Sequence, residues 1–259
     1  MATAYRPNHL TDIEFIAYAR HRLLIPALES GVRCVDTHTL IDPYMDHAIC
    51  CRSRGRGVMH SYVKNAVYEV ARDLSRYNRQ VVNMEPVIAQ YLKPEVANNK
   101  NEKTIDGLKQ RRGDISLESV SVLSHLKRKT DIIDVRHCSM QRPKSAADVG
   151  TTVLKGETEK HEFYDKHFAF PPGYQMIPFV IDTYGRWGNK AKEWLEKECR
   201  HVAGTDDGFY NSLISRYRET ISLAHARGIG RTLERCIQNC IHPDDYPKTC
   251  SRGEGAIPA

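Results

Sequence analysis

Long apolar runs are missing from this chain of 259 residues. No stretch approaches the roughly 20 consecutive apolar residues that a membrane-spanning helix needs, so no membrane partner is expected. The opening residues, MATAYRPNHLTD, lack the charged-then-apolar pattern of a secretory signal. Eight cysteines without such a signal imply reduced thiols in an intracellular compartment rather than a disulfide framework. No internal repeat is visible. Walker, G-x-G-x-x-G, G-x-S-x-G and H-E-x-x-H motifs are also absent, which removes support for NTPase, Rossmann, elbow-type hydrolase and zincin readings.

An apolar content of 41% is enough for a real core, and a length of 259 residues fits one large domain or one core with appendages. Lys and Arg exceed Asp and Glu by 38 to 32, a net charge of +6 that is mildly basic and compatible with nucleic acid. The placement of the charge is more informative. CRSRGRG at 51–57 brings Arg52, Arg54 and Arg56 together. LKQRRG at 108–113 contains Arg111 and Arg112, and HLKRKT at 125–130 contains Lys127 and Arg128. The last two segments flank a pair of aspartates, an arrangement suited to phosphate contacts on either side of a scissile bond. Each segment alone reads equally well as solvated loop charge.

The aspartates belong to RRGDISLESVSVLSHLKRKTDIIDVRH, residues 111–137. Read with a period of two, this is a hairpin. Asp114, Ser116 and Glu118 share one face of the first arm, with Ile115 and Leu117 on the other. In the second arm Ile132, Asp134 and Arg136 share a face opposite Ile133 and Val135. A turn centred near Ser124 sets Asp114 against Asp134. Two carboxylates that close repel unless a cation lies between them, and a divalent metal is the usual one. The plainer alternative is a solvent-facing strand pair with incidental acids.

Downstream, a loop over 142–149 leads to GETEKHEFYDKHFAF, where Glu157, Lys160 and Tyr164 repeat at helical spacing. FPPG at 170–173 stops that helix. IPFVIDT at 177–183 reads as a buried strand, and EPVIAQYL at 85–92 as the first strand of the set. Upstream, HSYVKNAVYEVARDLSRY at 60–77 is an amphipathic helix with Val63, Val67, Val70 and Leu74 on its apolar face. The order is helix, three strands, helix, strand.

That order and these residues resemble the restriction-endonuclease-like PD-(D/E)xK core. Gly113-Asp114 stands where the family has Pro-Asp, Asp134-Val135-Arg136 where it has (D/E)-x-K, and Lys160 resembles a migrated lysine. The run from DHAICC and His60 through GDI, DIIDVRH, Lys160 and Tyr164 to IPFVIDTYG is similar to the endonuclease domain of site-specific non-LTR retrotransposons. RYRETISLAHARGIGRTL at 216–233 resembles the C-terminal helix of such segments. The resemblance covers roughly residues 45 to 235.

It implies an α/β fold: a restriction-endonuclease-like core of helix, three-stranded meander, helix and strand, flanked by helices at 58–79 and 156–168. An N-terminal helix and Cys/His-containing segment (1–55) would precede the core (56–203), and a C-terminal helical extension would follow (204–259). The implied activity is metal-dependent DNA cleavage. Asp114 and Asp134 would bind Mg²⁺ or Mn²⁺, Lys160 would orient water, and Arg136 would stabilise charge. His60, Tyr164 and the basic residues named above would contact nucleic acid. Implied partners are DNA, with RNA or a reverse transcriptase as further ones, in the nucleus. Arg136 in place of lysine and the absent proline support another reading, a non-catalytic nucleic-acid-binding module derived from such a nuclease. A structural or assembly protein is a third.

Cys34, His38, His47 and Cys50 or Cys51 form a short window of metal-ligand types. A tetrahedral Zn²⁺ site is one reading and a buried, metal-free group the other. Irregular spacing, with Thr37 where a C-x-x-C would have its second cysteine, favours the metal-free one. Cys236, Cys240, His242 and Cys250 form a second, weaker cluster near the C-terminus.

Overall fold

The structure, a computed structural model, describes residues 9–51, 55–97, 108, 111–119, 129–138 and 151–240. Among them the chain forms a four-stranded mixed sheet and seven helices, an α/β arrangement. The helices are α1 (Asp12–Arg22), α2 (Asp46–Cys50), α3 (Gly55–Asn78), α4 (Pro94–Ala97), α5 (Thr151–His167), α6 (Asn189–Ala203) and α7 (Asp207–Asn239). The strands are β1 (Gln80–Met84), β2 (Ile115–Ser119), β3 (Thr130–Cys138) and β4 (Tyr174–Asp182). No helix of the described residues is long and apolar enough to cross a membrane.

Strands β1, β2 and β3 form an antiparallel meander, and β4 pairs parallel to β3 after the α5 crossover. Ile115 lies opposite Ile133 and Ser116 opposite Ile132, the register expected for a turn centred near Ser124. The turn itself lies outside the described residues. The ladder ends at Ile115. Just before it the Asp114 N–H also donates to the Ile133 carbonyl at 3.1 Å, so Asp114 sits at the end of β2 beside β3 rather than in ladder register with Asp134.

Both faces of the sheet are covered. Ile115, Leu117, Ile133 and Val135 join Ile177, Phe179 and Ile181 of β4 in the main core. Val63, Val67, Val70 and Leu74 of α3 pack there, as the helical spacing predicts, together with Trp194 of α6 and Tyr217 of α7. On the opposite face Ile132 and Met176 pack with Tyr164 and Phe168 at the end of α5, and with Ile88 and Leu108. Strands buried on both faces lose polar alternation and become nearly continuous apolar runs, as in β4.

The first strand differs from expectation. Residues 85–92 are not a strand; the meander begins at Gln80–Met84. Glu85 adopts a left-handed φ of 53°, and Pro86 has no N–H for a ladder. Ala89–Tyr91 then form a 3-10 turn. The observed β1 is an edge strand with Val81 and Met84 exposed, so its sequence carries little alternation.

Helix α1 begins with a capping box: Thr11 Oγ1 accepts the Glu14 N–H at 3.2 Å and Glu14 Oε2 accepts the Thr11 N–H at 2.9 Å. The Glu14 carboxylate is buried against α7, where Arg231 Nε lies 2.7 Å away. At this crossing the two backbones nearly touch, because a Cβ on Gly230 would sit 2.7 Å from the Glu14 carbonyl oxygen. Gly230→Ala should therefore lower unfolding free energy by about 1–3 kcal/mol, the usual cost of overpacking. Gly57→Ala, in helix α3 with open space at its Cβ position, should be neutral or stabilising by about 0.5–1 kcal/mol. Urea unfolding of the two variants checks the contrast.

Candidate active site and a Cys/His group

An open cleft of about 700 Å³ lies between α3, the β2–β3 pair and α5. Its lining carries four basic side chains, Arg111, Arg112, Arg136 and Lys160, and three carboxylates, Asp114, Asp134 and Glu159. His60 enters from α3 and Val135 from β3.

Asp134 sits at the bottom, only 4% exposed. Three donors converge on its Oδ2: Lys160 Nζ at 2.5 Å, the Tyr164 hydroxyl at 2.5 Å and Arg111 Nη2 at 3.3 Å. Lys160 and Tyr164 lie one turn apart on α5, so one face of the helix delivers both to the same oxygen. Burial pushes the Asp134 carboxyl upward, but the Lys160 ammonium, the Tyr164 hydroxyl and Arg111 outweigh it and hold the pKa below the usual value. Burial and the Asp134 charge raise the Tyr164 phenol, which stays protonated as a donor. Arg111 also lies over the Phe163 ring, 5.4 Å from its centroid.

Asp114 is held differently. Its Oδ2 accepts the Val135 N–H at 2.7 Å, and its Oδ1 lies 3.1 Å from His60 Nε2. The preceding Gly113 donates its N–H to the Pro86 carbonyl at 3.0 Å, and a Cβ there would lie 2.7 Å from Ile132 Cγ2.

Arg136 forms an ion pair with Glu159 of α5 at the cleft wall. Glu157, although on the Lys160 turn in sequence, points elsewhere: its Oε1 accepts the Lys190 N–H at 2.8 Å and caps α6. The expectation of Tyr164 as a nucleic-acid contact is corrected, since its side chain is 2% exposed and committed to Asp134 and the core. Arg112 is exposed on the cleft rim. Arg52, Arg54, Lys127 and Arg128 lie outside the described residues, as does the side chain of Arg56. Sequence reasoning missed Arg111 as a partner of Asp134; its place three residues before Asp114 was the only signal. It also missed His225 of α7, whose ring stacks on His137 with centroids 5.4 Å apart. Burial lowers the pKa of His225 to about 4 and that of His137 well below the usual value, so both are neutral at pH 7.

In the N-terminal segment, ligand atoms of Cys34, His47 and Cys51 lie within 4.8 Å of one another, a spacing one metal ion can bridge. Cys51 is the described cysteine of the CC pair in this group; the Cys50 side chain lies outside the described residues. His38 is corrected out of the set. It occupies a tight turn at φ 55°, with its N–H donated to the Cys34 carbonyl at 2.8 Å, and it is exposed. Thr37 Oγ1 lies 3.2 Å from His47 Nε2. Burial raises the Cys34 thiol, but hydrogen bonds from Thr37 and His47 outweigh it and bring it to about 7.

No protein-family model matches the chain, and no curated protein is significantly similar to it in sequence.

A depressed carboxyl stabilises the fold above its unfolded pKa, about 3.9, and loses that contribution as pH falls through the lower folded value. Wild-type protein is therefore expected to lose unfolding free energy on acidification below about pH 4. Asp134→Asn should lose less across the same window, as read by urea unfolding at about pH 5 and pH 3.

Proposed function

We propose that the cleft is the active centre of a metal-dependent endodeoxyribonuclease with a restriction-endonuclease-like PD-(D/E)xK core, of the retrotransposon type. The observation that carries this reading is that Asp114, just before β2, and Asp134 of β3 line the same open, cation-rimmed cleft, with Lys160 Nζ on Asp134. DNA is the proposed substrate. RNA or a reverse transcriptase as a further partner and a nuclear address follow from the same resemblance.

The residues fit a hard divalent cation. Mg²⁺ is commonly held by one or two carboxylates, with water and substrate phosphate completing its shell. Asp114 accepts one hydrogen bond or histidine contact on each oxygen, and a carboxylate has about four acceptor sites, so coordination capacity remains. Bound Mg²⁺ or Mn²⁺ would polarise the phosphate and lower the pKa of water. Lys160 remains a donor at Nζ, fixed by Asp134 and positioned to orient a water or offset developing charge. Arg112 at the rim supplies phosphate attraction. Arg136 serves as an electrostatic group held by Glu159.

A second reading is a nucleic-acid-binding module without turnover. It is favoured by the existing neutralisation of Asp134 by Lys160 and Arg111. The two separate in a supercoiled-plasmid nicking assay with Mg²⁺, Mn²⁺ and chelator. The nuclease reading expects metal-dependent nicking that Asp134→Ala and Asp114→Ala abolish. Lys160→Ala should reduce it by about 10²-fold, the scale of losing one charge-stabilising group, while Lys166→Ala, on the exposed side of α5, leaves it unchanged. DNA binding that ignores metal, with no nicking under any condition, establishes the second reading instead.

A further inference from the structure

We propose that Cys236, near the end of α7, is the fourth ligand of a structural zinc site whose other ligands are Cys34, His47 and Cys51. Three of the four ligand atoms already lie within 4.8 Å of one another. Cys236 packs directly against the Cys34 and Cys51 cluster. All three cysteines border one small cavity of about 40 Å³, room for an ion or a water or two and too little for an organic ligand.

The chemistry of the donor set selects the ion. Three thiols and one imidazole make the Cys₃His set of closed, tetrahedral zinc sites, while hard cations prefer oxygen. None of the described cysteines is in a disulfide, so the sulfurs are not tied to one another. Thr37 occupies the position where a local C-x-x-C would supply the missing sulfur, and its hydroxyl is turned to His47. The missing sulfur comes from the far end of the chain instead. Cys240 borders the same cavity and packs on the same cluster, but its sulfur is engaged elsewhere. The Cys240 thiol is directed to the Ile237 carbonyl at 3.3 Å. Arg235 borders the same cavity and offsets the single net negative charge of a zinc ion with three thiolates. The site is a clasp: it fastens the 34–51 segment to α7, which also packs on α1 and α3.

The test uses the full chain purified without chelator, and its readouts do not involve nicking. Elemental analysis is expected to find about one zinc per chain. Co²⁺ in its place should give tetrahedral d–d absorption with thiolate charge transfer. Cys236→Ser should weaken Co²⁺ retention against a competing chelator by on the order of 10²-fold and reduce the charge-transfer band, while Cys240→Ser keeps the wild-type spectrum. In the unsubstituted protein, chelator should expose Cys34, Cys51 and Cys236 together to alkylation, read peptide by peptide in the mass spectrometer. That measurement needs no variant to fold. Zinc below about a tenth of an equivalent overturns the proposal. So does a Cys236→Ser spectrum and affinity equal to wild type, or Cys236 alkylation indifferent to chelator.

Discussion

The carboxylate of Asp134 is the constraint around which the sheet, α5 and the loop before β2 are arranged. A charge 4% exposed at the floor of a sheet loses several kcal/mol of hydration, and only close, well-oriented donors restore it. Lys160, Tyr164 and Arg111 come from two separate parts of the chain and meet at one oxygen. Any movement of α5 away from the sheet would break two of those bonds at once. The position of α5 is thus set by electrostatics as well as by the apolar contacts of Tyr164 and Phe168. An uncovered β3 would need no such partner for Asp134, because water would solvate it.

The two acids that line the cleft are each held by their own partners. Asp114 is stabilised by a backbone N–H and by His60, and Asp134 by two cations and a phenol. The charge of each is compensated by separate groups. The cost is that Asp134 is already paired. A cation entering the cleft would have to share the carboxylate with Lys160 rather than find it vacant.

Much of the α/β frame was legible in the sequence because it rests on short-range periodicity. The two faces of β2 and β3, their register about Ser124, the apolar stripe of α3 and the crossover helix all follow from periods of two and 3.6. The edge strand was not legible. Gln80–Met84 owes its state to pairing with β2 rather than to its own alternation, and the more apolar 85–92 segment is diverted by the left-handed Glu85 and by Pro86. In the cleft, Asp114, Asp134 and Lys160 were legible as a pattern. Arg111 was not, because a loop arginine has no periodicity that announces its direction. The approach of Cys236 to Cys34 and Cys51 was equally hidden: the two Cys clusters lie at opposite ends of the chain, and only the run of α7 along α1 and α3 brings them together.

The residues at 113 and 136, where the sequence differs from the PD-(D/E)xK pattern that it resembles, both have local physical causes. A proline at 113 would lack the N–H that Gly113 donates to Pro86, and its ring would enter the space where even a Cβ lies 2.7 Å from Ile132. Glycine suits that backbone, and Asp114 keeps its place through the Val135 N–H instead. At 136 the side chain must span from β3 to Glu159 on α5. A guanidinium meets a carboxylate with a planar fork that an ammonium lacks. Asp134 takes its ammonium partner from the helix, through Lys160, while the basic side chain of β3 two residues on serves Glu159 instead. The strand and the helix thus each supply one cation to the cleft, and the two are held by different carboxylates.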